Sequence, residues 1–165
     1  MSRPDTNDGV LMGESEDSGR RGGAGSATEE GADRRELERR CDRIEESYEF
    51  MLAYAAQGLA GEEGSGAAGE IREYLNRCDA ALTGLAELVS GLGADLGAAS
   101  AEPYRAFMGI LERDARDART LVRLVLAQPS ISSQLVDNLN ASIHLRALLM
   151  DLFLVDEVLK IHSRR

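Results

Sequence analysis

Three stretches of this chain carry an apolar residue at alternating steps of four and three, and that repeat narrows the possible folds more than any other feature. The first reads Leu37, Cys41, Ile44, Tyr48, Met51 and Ala55, and the second Ile71, Leu75, Cys78, Leu82, Leu85, Val89 and Leu92. The third reads Tyr104, Met108, Leu111, Ala115, Ala118, Val122 and Val125. Steps of four and three average close to one helical turn, so each stretch lays a continuous stripe along one face of an α-helix. A stripe of this period is buried most fully against neighbours crossing at a shallow angle. The sequence therefore predicts an all-α fold, an antiparallel bundle of about four long helices joined by short loops.

Punctuation residues set the expected boundaries. Residues 1–32 are rich in Gly, Ser and acid and have no apolar period, which predicts a disordered tail followed by a bundle domain over 33–162. Asp33 is the expected cap of the first helix, and Gly58 and Gly61 its end. Gly84 falls inside the second helix, where it costs roughly 1 kcal/mol against Ala and suggests close approach of a neighbouring helix. Ser100 is the expected cap of the third helix, with Pro103 in its first turn and Pro129 beyond its end. The fourth is expected from Ser130 or Ser132 to about His162.

That fourth helix is apolar on more than one side. Through Leu145–Val155 apolar residues run almost all the way round, whereas a bundle helix needs only one buried stripe. Leu148, Leu149, Leu152, Phe153 and Val155 are the candidate interaction residues, and a homodimer is the expected use of the surplus.

Charge narrows the partners. The net charge is −10, and residues 1–32 supply only part of it, with seven acids against Arg3, Arg20 and Arg21. A chain this acidic lacks the basic face that nucleic-acid phosphates require. Of its 19 basic residues only Lys160 is lysine. The longest apolar run is interrupted by Arg146 and Asp151 and falls short of the roughly 20 residues a membrane span needs. Residues 1–32 hold no apolar secretory core. The expectation is a cytoplasmic protein with no nucleic-acid or membrane partner and a protein partner instead.

Side chains that could carry chemistry are few. Cys41 and Cys78 both sit on helix stripes and read as buried thiols rather than a bridge. Glu45, Glu46 and Glu49 lie together, but a di-iron bundle also needs histidines three residues after glutamates, and neither His144 nor His162 has that spacing. Asp137, Asn140, His144 and Asp151 form a polar stripe with a histidine at its centre. The stretch His144-Leu145-Arg146-Ala147 resembles the phospho-accepting helix of histidine phosphotransfer domains, four-helix proteins that relay a phosphoryl group through a histidine. It departs from that pattern at Ala147 and Leu148, where the family has Lys and Gly. Leu37, Arg39 and Arg43-Ile44-Glu45 loosely resemble the first helix of all-α chorismate mutases, without that family's second basic cluster. Arg105, Arg116, Arg119 and Arg123 are a candidate anion-binding stripe. No phosphate loop, nucleophile elbow or metal spacing is present. The expected function is a non-enzymatic interaction protein without a cofactor, and the alternative is a signalling or ligand-binding bundle working through His144.

Overall fold

The computed structural model describes residues 22–61, 66–94 and 98–163. Every regular element among them is helical: α1 (Gly22–Ala56), α2 (Gly66–Leu82), α3 (Leu85–Leu92), α4 (Ala98–Leu126), α5 (Ser133–Ala141) and α6 (His144–Ser163). Six helices stand where four were expected, because two of the four are broken.

Helix α1 starts well ahead of the expected boundary. Asp33 lies inside it rather than capping it, and residues 1–21 of the expected tail fall outside the described residues. The pair of Arg34 with Glu30 at 4.0 Å reaches into the extension, and further along Glu36 holds Arg40 at 2.7 Å and Arg39 at 2.7 Å. Each such pair adds a few tenths of a kcal/mol to a helix already rich in Ala, Glu and Arg.

The break between α2 and α3 corrects the expectation for Gly84. Its φ is +67°, and a Cβ there would meet nothing nearer than a Glu87 carboxylate oxygen at 4.0 Å. No neighbouring helix crowds it; the residue is glycine because the chain turns left-handed there. Arg40 closes the break from α1 by donating to the Thr83 carbonyl at 2.5 Å. The stripe nevertheless runs straight through, and all seven of its residues from Ile71 to Leu92 are buried.

A second break separates α5 from α6. Ser132 caps α5, its Oγ accepting from the Leu135 N–H at 3.2 Å, as the sequence suggested. Ser142 then donates to the Leu139 carbonyl at 2.6 Å, and Ile143 adopts a φ of +34°. A β-branched residue in this region costs on the order of 1–3 kcal/mol. His144 opens α6 instead of lying mid-helix.

Two polar clamps tie loops to helices. Arg72 of α2 donates to the carbonyls of Leu126, Gln128 and Pro129, satisfying groups that the end of α4 leaves without helical partners. At the other clamp the Tyr54 hydroxyl donates to the Ile131 carbonyl at 2.6 Å. The Ser133 hydroxyl donates to the Tyr54 carbonyl at 2.6 Å and accepts from the Leu59 N–H at 2.9 Å. These bonds hold the end of α1 against the start of α5.

The core collects the stripe residues of α1, α2, α3 and α4 together with one face of α6. Ile44, Met51, Ile71, Leu75, Leu85, Leu111, Val122, Val136 and Leu148 are fully enclosed. Helix α1 packs against α2, α3, α5 and α6, and α4 against α2, α3, α5 and α6.

Candidate functional site

The surplus apolar surface of α6 exists, but on different residues from those expected. Leu148, Leu149, Leu152 and Val155 are buried within the chain itself, and of the five candidate interaction residues only Phe153 is exposed. Leu145, Leu148, Leu152, Val155 and Leu159 repeat at steps of three and four and form the inward face. Two residues past Leu152 is roughly 200° around a helix, the opposite side. Leu154 sits there, 55% exposed, in line with Ile143 at 65%, Met150 at 56% and Ile161 at 49%. Half-buried Ala147 and Val158 flank this outer stripe. The apolar run was legible, but which of its two faces turns inward is set by the neighbouring helices.

Helix α4 borders the same surface. Pro103, Tyr104 and Phe107 line a groove of about 370 Å³ with Leu154, Val155, Val158 and His162 of α6. The Tyr104 hydroxyl is turned away from it and donates to the Val89 carbonyl at 2.7 Å. The groove is therefore walled mainly by hydrocarbon.

The polar stripe does not survive as a unit. The helix break falls between Asn140 and His144, leaving Asp137 exposed, Asn140 buried, and His144 and Asp151 half-buried. Neither amide atom of Asn140 finds a hydrogen-bond partner among the described residues. Asp151 likewise leaves its buried Oδ2 without a partner among the described residues, and its carboxyl lies beside Asp114 of α4. Burial, then hydrogen bonding to the Asp114 carboxyl and its charge, push Asp151 up to about 6. Two carboxyls that share a proton cannot both ionise cheaply. Spacing along one helix could not have revealed this pair, because its members lie on different helices.

The pair sets a pH dependence of stability. An unfolded aspartate releases its proton near 3.8, while the folded protein holds it to about 6. Folding therefore takes up a proton between those values, and stability falls as pH rises through that window. Asp151→Asn keeps a donor toward Asp114 and carries no charge. It is expected to raise stability above pH 7 by about 1 kcal/mol, discounted for the partial exposure of the site, and to leave it unchanged near pH 4. Urea titrations of both proteins at the two pH values check this, and equal gains at both would contradict it.

The arginine stripe is also divided. Arg119 donates to Asp79 of α2 at 2.9 Å, and Arg123 lies 3.9 Å from the same oxygen. Arg116 faces Glu112 at 3.4 Å, and Arg105 is exposed. Two of the four thus serve a contact between helices, and the structure does not bring the set to one anion site.

Cys78 is buried, Cys41 partly so, and both are free. Burial pushes both thiols up to about 12, with Glu45, Asp156 and Asp42 adding to the effect at Cys41. Neither is a thiolate at neutral pH, which leaves both poor nucleophiles. Among the described residues no group of three His, Cys, Asp or Glu side chains could hold a metal ion, and no helix is long and apolar enough to cross a membrane.

No protein-family model, curated protein or solved structure matches this chain.

Proposed function

We propose that this chain is a non-enzymatic helical interaction protein of the cytoplasm, an adaptor, assembly factor or regulator of a larger complex. The observation that carries the reading is the outer stripe of α6. Monomeric proteins scatter exposed apolar side chains singly, whereas a contiguous row marks a surface that another chain covers. In this reading the helices form an antiparallel bundle in which α1, α2 with α3, α4, and α5 with α6 act as four arms. The bundle is a rigid support that presents α6, and the acidic N-terminal residues keep the protein soluble or add a second contact.

A photo-crosslinking residue at position 150 of the full chain, introduced in native cells, tests the reading. A discrete crosslinked protein species is expected from that position and not from a control at position 116 on α4. Equal labelling from both positions, or none from either, would count against an interaction surface on α6.

Phosphotransfer is the less favoured reading. His144 is half-buried in the first turn of α6 beside the break at Ile143.

A further inference from the structure

Resting on that reading, we infer that the partner on the outer stripe of α6 is a second copy of this chain, docked antiparallel about a two-fold axis that crosses the outer face of α6 at the level of Leu152. The stripe is palindromic. Met150 and Leu154 lie two residues on either side of Leu152, and Ile143 and Ile161 nine residues on either side. A two-fold axis across a helix brings position i of one copy to position j of the other and j to i. Placed at Leu152, it sets Met150 against Leu154 of the second copy and Ile143 against Ile161, so every exposed stripe residue meets an apolar partner. A stripe met by an unrelated helix has no reason to be symmetric about its own midpoint.

Charge on the flank follows nearly the same symmetry, offset by half a residue. Arg146 lies six residues before Leu152 and Glu157 five residues after it. Eleven residues are about three helical turns, so both project from the same side of the stripe. Both are exposed. Antiparallel two-fold pairing brings the same flank of each helix together, and Arg146 of one copy then stands opposite Glu157 of the other, twice per dimer. A parallel pairing would bring opposite flanks together and separate these charges. Among the described residues Arg146 donates to the Tyr48 hydroxyl, at 3.3 and 3.4 Å, which leaves most of its donors for such a contact.

The surface is large enough. At about 200 Å² for a large side chain, the four stripe residues and Phe153, each about half exposed, offer on the order of 500 Å² of apolar surface. With Arg146, Ala147, Glu157 and Val158 around them this approaches the roughly 800 Å² per partner of a standard interface.

Light scattering on the full chain across a dilution series is the test, with twice the 17.8 kDa chain mass expected at the concentrated end. Leu154→Glu should weaken association by about 30-fold or more, since it sets a carboxylate against an apolar partner twice. Its circular dichroism should stay helical because the site is exposed. Arg146→Glu and Glu157→Arg should each weaken the dimer by about tenfold, and the double variant should restore it to within about threefold. A monomer at every concentration overturns the inference, as does a dimer indifferent to Leu154→Glu or one that the double charge exchange does not rescue. A monomer that still crosslinks another protein through position 150 refutes the self-pairing and keeps the interaction reading. A monomer that crosslinks nothing refutes both.

Discussion

Gly61→Ala is expected to lower the stability of the chain by about 3 kcal/mol. Gly61 is buried with a φ of +83°, and a Cβ built on it would fall 2.8 Å from both the carbonyl carbon and the oxygen of Ile131. Those atoms are backbone and cannot rotate aside. Moving them would also disturb the bond from the Tyr54 hydroxyl to the Ile131 carbonyl and the contact of the Ser130 hydroxyl with the Gly61 carbonyl. Two costs therefore add, a left-handed alanine and a collision inside the clamp between α1 and α5. Gly58→Ala provides the comparison. Its φ is +66°, but nothing lies within 4 Å of the added carbon, so only the conformational cost of about 1 kcal/mol is expected. Urea unfolding of both variants, with similar slopes and different midpoints, distinguishes the two contributions. Equal losses would mean that the loop yields freely and that the clamp does not hold the helices together.

Leu148→Ala should cost about 2–5 kcal/mol, the range for an enclosed leucine whose cavity collapses only in part. Leu148 is fully enclosed, although the sequence placed it on an interaction surface. Leu124→Ala on α4, where the leucine is mostly exposed, should change stability by less than about 0.5 kcal/mol. The contrast is measured by thermal or urea unfolding. A small effect at Leu148 would reopen the assignment of the inner face of α6, and with it the identity of the outer stripe.

The residues that sequence reasoning placed well are those whose environment is announced by local repetition. All seven stripe residues from Ile71 to Leu92 are buried, as are Tyr104, Leu111, Ala115, Ala118, Val122 and Val125. Met108 is only partly covered, and on α1 Cys41, Tyr48 and Ala55 lie at the margin of the core. The candidate site was less legible. Phe153 alone among the expected interaction residues is exposed, and Met150, Leu154 and Ile161 take the outer positions. A helix with apolar residues on opposite faces gives two equally good stripes, and no rule within the helix ranks them.

Helical breaks were harder still. Gly84 was visible as a glycine, yet a glycine serving a close crossing and one serving a left-handed turn are the same letter. Ile143 carried no warning, because a β-branched residue is a poor choice for positive φ. The meeting of Asp114 with Asp151 and the hold of Tyr54 on Ile131 join residues from separate helices and loops.

What the sequence by itself determined is the helical class and the inward face of each helix that has a single apolar stripe, because a period of about 3.6 residues acts between neighbours along the chain. What only the tertiary structure decided is where two of those helices break, which face of α6 turns inward, and which distant side chains meet. Those outcomes depend on the shape that the other helices leave to be filled, and a stripe records that a face must be buried without recording against what.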